Sequence, residues 1–224
     1  MAKVKEAYAG LIYGQIGSGK TVNATTVPGR KLLISTDNSY VVLRNFERED
    51  LEIELMEDYL DENGEPVLMV LLNRVIDSGK YDTIIIDNIS EVFDKAILDY
   101  DATGQYKDMR KVYLIVYNAL KRIARKAAFA QCNMLFTAWE DALEIPLDDK
   151  GNRGVRLQPK LPMKILDNFC GLMNIVARVE NVTDKNGDTH WFYVMKGTKQ
   201  RYGKDQVYCR ETCLPEEIFN GGNN

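Results

Sequence analysis

The stretch GQIGSGKT, residues 14–21, restricts this chain more than any other. Gly14, Gly19, Lys20 and Thr21 satisfy the spacing G-x4-G-K-S/T. Such a loop closes backbone N–H groups around a phosphate, and it works between a strand and a helix. Glycines permit the curvature, the lysine reaches the outer phosphates, and the hydroxyl ligates Mg²⁺. The spacing therefore predicts a cradle made of Gly14, Gln15, Ile16, Gly17, Ser18, Gly19, Lys20 and Thr21, with ATP and Mg²⁺ as its ligands. It also demands a strand before the loop and a helix after it. YAGLIY (8–13) has the apolar character of the strand, and a short helix over 19–26 would be stopped by Pro28-Gly29.

A metal held by Thr21 needs a second protein ligand, and an acid at the end of a buried strand can supply it. YDTIIIDN (81–88) offers Asp87 in that position. Hydrolysis needs a group that orients water. Asp37, just after the apolar run KLLIST (31–36), is the best candidate, since the C-terminal ends of parallel strands face the ligand crevice. The alternative is that Asp37 only caps a turn. Glu91 is a second candidate. Thr137, at the end of CNMLFTAW (132–139), would place a hydroxyl near the γ-phosphate, and Glu140 is a weaker version of the same idea.

The remaining pattern surrounds this site with α/β architecture. Residues 67–79, 90–102 and 109–130 read as helices, the last with Val112, Ile115, Val116, Ala119, Ile123 and Ala127 on one stripe. Residues 175–182 and 191–195 flank the turn DKNGD and read as a hairpin, and 206–211 reads as a further strand. Residues 47–65 hold ten carboxylates with no clear period, and read as a solvated acidic face, a hairpin or helical excursion. Strand–helix alternation followed by hairpins predicts a mainly parallel sheet flanked by helices, with antiparallel C-terminal edge strands. No Pro/Gly/Ser-rich linker divides the chain, so residues 1–224 read as one domain.

Composition excludes several classes. The 224 residues are 45% apolar and 28% charged, an ordinary globular balance. No apolar run approaches the ~18 residues of a membrane span, and the N-terminus lacks a secretory pattern, which points to the cytoplasm. Cys209 and Cys213 are spaced as C-x3-C with a single histidine, His190, to help them, too few ligands for zinc. A net charge of −4 means that any nucleic-acid contact must be a local patch. Three stretches qualify. Residues 105–126 carry Lys107, Arg110, Lys111, Lys121, Arg122, Arg125 and Lys126 against Asp108 alone. Residues 150–164 contain Lys150, Arg153, Arg156, Lys160 and Lys164 among glycines and prolines, and read as a flexible loop able to follow a phosphate backbone. KGTKQRYGK (196–204) is a basic tip without an acid.

GLIYGQIGSGKT, KLLISTDNSYVVL, YDTIIIDNISEV, LFTAWED and YGKDQVYCRETCLP occur in an order that resembles phage-encoded RecA-like P-loop ATPases, a group that includes the RecA-like class of single-strand annealing proteins. The resemblance spans roughly residues 8–215. It implies a RecA-like core, ATP and Mg²⁺ binding, assembly into homo-oligomeric rings or filaments, and a role in DNA recombination on single-stranded DNA, beside phage or host replication and recombination proteins. It also implies that Lys20, Thr21 and Asp87 are the nucleotide motifs, and that Asp37 stands where relatives usually carry glutamate. Lys204-Asp205 matches a K-D-R segment, although its third residue here is Gln206. A cation from this region reaches a neighbouring subunit's γ-phosphate in such assemblies. Lys204 is the first candidate, with Lys199 and Arg201 as the alternative. Two other functions fit the residues: a nucleotide-gated module without turnover, acting as a loader or replication partner, and a small-molecule nucleotide kinase.

Overall fold

The computed structural model describes residues 7–46, 48–147 and 151–221. In chain order the first elements are β1 (Ala9–Gly14), α1 (Lys20–Ala24), β2 (Lys31–Ser35), a 3-10 helix (Asn38–Asn45), β3 (Leu51–Leu55), α2 (Val67–Asp77) and β4 (Thr83–Asp87). Then come α3 (Ile89–Ala102), α4 (Met109–Phe129), β5 (Asn133–Pro146), β6 (Arg153–Pro159) and α5 (Met163–Leu172). The chain closes with β7 (Ile175–Thr183), β8 (Thr189–Val194), β9 (Lys204–Asp205), β10 (Thr212–Cys213) and a 3-10 turn at Pro215–Glu217.

Among the described residues, six strands run parallel in the order β7-β1-β5-β4-β2-β3. β8 extends the sheet antiparallel on β7, β10 follows on β8, and β9 pairs with the start of β7. The two-residue period of a strand sorts its side chains onto two faces. Leu11, Ile34, Ile84, Ile86 and Phe136 face a large core closed by α2, α3, α4 and α5. Ile12, Leu33, Ile85 and Leu135 face a smaller one with Ala24, Val27, Tyr193, Ile218 and Phe219. Each such isoleucine or leucine, wholly removed from water, contributes about 1.5–3 kcal/mol. Both faces are covered, which is why these strands read as continuous apolar runs.

Three readings of the sequence need correction. The acidic stretch contains β3, a parallel edge strand. Its outward glutamates are matched by cations: Glu52 by Arg30 and Lys80, Glu54 by Arg74. The basic stretch 150–164 is no flexible loop where it is described. Residues 153–159 form β6, paired antiparallel with the outer half of β5 from Glu140↔Pro159 to Pro146↔Arg153, and α5 begins at Met163. Residues 206–211 do not form a strand. The buried carboxylate of Asp205 accepts the backbone N–H groups of Val207 (3.0 Å) and Tyr208 (2.9 Å) and the Arg210 Nε (2.8 Å), which folds the chain into turns. Cys209 is accordingly left-handed, at φ 57°.

The register positions the site. Gly14, Ser35 and Asp87 end the parallel strands β1, β2 and β4, and Thr137 of β5 stands opposite Ile12. Because β5 lies between β1 and β4, its side chains stand between the phosphate loop and Asp87.

Candidate nucleotide site

The loop after β1 has the backbone that its glycines allow. Gly17 and Gly19 take φ of +79° and +80°, a region that favours glycine. A Cβ at Gly14 would stand 2.8 Å from Ser18 Oγ. Lys20 is 8% exposed, and its ammonium donates to the carbonyls of Gly14 (3.0 Å) and Gln15 (2.8 Å). Burial lowers its pKa, opposed by Asp87, Glu140 and Asp37. An anion entering the loop would replace these carbonyls as partner of the cation.

Asp87 is 2% exposed. Thr137 donates its hydroxyl to Asp87 Oδ1, Ser39 donates to Oδ2 at 2.9 Å, and the Thr21 hydroxyl bears on the same carboxyl. Burial raises the Asp87 pKa, and these hydroxyls oppose the rise. Thr21 and Asp87 thus bring a hydroxyl and a carboxylate together, the donor set a hard divalent cation prefers. Buried Ser18 Oγ and Asn23 Nδ2 beside the loop have no hydrogen-bond partner among the described residues, as a cradle awaiting a polar ligand would have. The residues present fit Mg²⁺ with a nucleoside triphosphate.

Asp37 combines the two roles open to it in sequence. Its Oδ1 accepts the Ser39 N–H at 2.8 Å and caps the 3-10 helix, while its Oδ2 accepts the Asn88 side-chain amide at 2.7 Å. It lines a cleft of about 410 Å³ with Lys20, Thr21, Ser39, Asp87 and Trp139. Thr137 is fully buried and touches Asp87, so it bears on the cleft through that carboxylate. Glu140 is held by Arg178 at 2.6 Å, with side chains 5% and 18% exposed. Glu91 is N-terminal in α3, its N–H accepted by Asn88 Oδ1, and burial raises its pKa.

Sequence reasoning passed over Asn88, Ser90 and Trp139, and reached Ser39 only through the turn that Asp37 caps. Asn88 followed by Glu91 has the spacing of a helix start, so it was findable. Ser90 was not, because its contacts are distant. Its hydroxyl accepts the Trp139 N–H (3.1 Å) and donates to Lys160 O (2.9 Å).

The other candidates do not line the cleft. Lys204 is on β9, level with Val176 at the start of β7, and donates to Gly171 O at 3.0 Å. Arg201 pairs with Glu180 at 3.1 Å, and Lys199 reaches Leu147 O at 3.4 Å. Arg153 lies 3.3 Å from Glu144. Arg156 contacts Gln158 (3.1 Å) and stacks over Tyr202. Lys160 sits 4.7 Å over the Trp139 ring and 3.6 Å from Asp94. Lys150 lies outside the described residues.

A family model described as an AAA domain matches residues 6–207. The chain belongs to the AAA domain family. It is a nucleotide-binding P-loop ATPase domain of mixed α/β fold. Among solved structures, this AAA domain is similar to the flagellar accessory protein FlaH from Methanocaldococcus jannaschii. That match has 12% identity and a TM-score of 0.42, over 92% of this chain and 83% of the other. It is also similar to an ATPase from the type III secretion system of pathogenic bacteria, at 12% identity and a TM-score of 0.47. That match covers 77% of the AAA domain and 51% of the secretion ATPase, so the chain spans about half the length of that protein. The comparison with curated proteins gives no match. No helix among the described residues is long and apolar enough to cross a membrane.

Proposed function

We propose that this AAA domain binds ATP with Mg²⁺ and hydrolyses it as a homo-oligomer on single-stranded DNA, in recombination or strand annealing. The observation that carries the nucleotide part is the convergence of Lys20, Thr21, Asp87 and Asp37 on one cleft. Lys20 would neutralise the outer phosphates, and Thr21 and Asp87 would hold the metal, which supplies charge stabilisation when bound. Asp37 would orient water from the tip of β2.

The DNA part is supported by α4. It carries no acid, and Arg110, Lys111, Arg122 and Arg125 are exposed along it in a chain of net charge −4. Phosphate neutralisation by such a face is independent of base sequence and falls with salt. Arg153, Arg156 and Lys160 would extend the contact. For a cation acting on a neighbour's nucleotide, Lys199 and Arg201 at the basic tip join Lys204 as the candidates.

A second reading is favoured by one feature. Both oxygens of Asp37 already hold hydrogen bonds, to Ser39 and to Asn88. A carboxylate so occupied suits a nucleotide-gated module in which ATP controls assembly and turnover is negligible.

The test is ATP turnover with and without single-stranded DNA, with mass in solution recorded. DNA-stimulated turnover by a multimer supports the first reading. Assembly and DNA binding without turnover select the second, and phosphate transfer to an added nucleoside monophosphate replaces both with a nucleotide kinase. Mixing Lys20→Ala with Lys204→Ala or Arg201→Ala subunits tests action between subunits. Recovered turnover identifies the acting cation; none, despite co-assembly, removes it.

A further inference from the structure

The phosphate cleft has a direction. Asp37, Asp87 and Trp139 line it on the side of β2, β4 and β5. Asp87, which would hold the metal with Thr21, stands there, so the outer phosphates belong on that side. The nucleoside end of an extended triphosphate then leaves the loop the other way, toward β7, which flanks β1, and β8 beyond it.

Two side chains meet the loop on that flank. Trp191 of β8 brings its indole Nε1 to 2.9 Å from where a Cβ on Gly19 would stand, and Asn23 of α1 brings its Nδ2 to 3.0 Å from the same point. Asn23 is 7% exposed, and its Nδ2 has no hydrogen-bond partner among the described residues. A buried amide N–H without an acceptor is unfavourable unless something supplies one. Trp191 is 38% exposed, so part of its ring stays open beside that orphaned donor. An open aromatic surface beside the phosphate loop matches a flat heteroaromatic ring that can stack on it.

We propose that Trp191 forms the platform of the nucleobase subsite of this domain. A purine stacks on the open part of the Trp191 indole, beside Gly19 of the phosphate loop. The proposal rests on the nucleoside-triphosphate reading of the loop and adds to it the residue that receives the base. It also gives Gly19 a second reason to lack a side chain: any Cβ there would collide with Trp191 and Asn23.

The experiment compares Mg²⁺-ATP with inorganic tripolyphosphate, which offers the loop the same phosphates without a base. Stacking of one base on an aromatic side chain is lost as a roughly ten-fold weaker affinity when the ring is removed. Trp191→Ala is expected to weaken Mg²⁺-ATP by that factor and to leave tripolyphosphate unchanged. Trp191→Phe is expected to keep most of the ATP affinity. The chain has two tryptophans, so the part of the fluorescence lost in Trp191→Phe reports Trp191. That part is expected to be quenched by ATP and not by tripolyphosphate. Equal losses for both ligands, or no change for ATP and no selective quenching, overturn the subsite and leave the phosphate site standing. A wild-type chain that binds neither ligand overturns the phosphate reading and the subsite together.

Discussion

The Asn88 side-chain amide donates to Asp37 Oδ2 at 2.7 Å, across 51 residues of sequence, while its carbonyl accepts the N–H of Glu91. One amide therefore aims a carboxylate at the cleft and caps α3. Asn88→Ala removes both. The lost cap costs about 1 kcal/mol, read as a lower denaturation midpoint in urea. Asn88→Ser keeps a cap acceptor and is expected to recover most of that stability. Neither variant restores the hold on Asp37, so under the hydrolytic reading turnover falls in both.

Thr137→Val leaves a side chain of the same shape and removes the hydroxyl that Asp87 accepts. A buried carboxylate without one of its donors is destabilised by about 1–3 kcal/mol. Unfolding in urea is expected to show a reduced midpoint at unchanged slope. Thr137→Ser, which retains the donor, is expected to lie close to wild type.

Lys20→Met separates binding from folding. A charge-assisted contact to phosphate is lost, and Mg²⁺-ATP affinity is expected to fall roughly 10- to 100-fold by calorimetry. The melting temperature of the nucleotide-free chain is expected to change little. The lost bonds to Gly14 O and Gln15 O are offset by removing a buried ammonium.

Glu52 governs part of the acid limb. Lys80, Arg30 and Tyr81 donate to its carboxylate and hold its pKa down at about 2. A carboxylate lowered on folding contributes stability above its unfolded pKa and loses it as pH falls through the folded value. That contribution is present above about pH 4.5 and disappears toward pH 2. Melting temperatures of Glu52→Gln between pH 5 and pH 2 are expected to fall less steeply than those of wild type.

The phosphate loop and the strand ending at Asp87 were legible because their signals are local. A fixed spacing defines the first, and a β-branched run closed by an acid marks the second. The parallel sheet followed from the alternation around them. β6 was not legible: glycine, proline and four cations in and around it read as a loop, and only pairing with β5 makes it a strand. β3 was hidden in the same way, because the ion pairs that let its glutamates stand beside the sheet come from Arg30, Arg74 and Lys80. The Asp37–Asn88 bond lay beyond sequence reasoning, since β2 and β4 become neighbours only through the register. Trp191 was hidden for a similar reason. Its nearness to Gly19 depends on β7 and β8 folding back beside β1.

β5 runs without interruption from Asn133 to Pro146. Its inner half lies in the parallel sheet and carries Thr137, while its outer half pairs with β6 beyond the sheet. Between the two, Ser90 pins Trp139 N–H and Lys160 O to the start of α3. In mechanical terms this is a rod held at a fulcrum. A load on the projecting β5–β6 arm bears on that pivot and passes along the same backbone to the hydroxyl that touches Asp87. That arm is itself tied down: the Tyr13 hydroxyl donates to Leu157 O, and the backbone of Leu157 pairs with Gln200 and Tyr202, so the segment 200–202 shares the load.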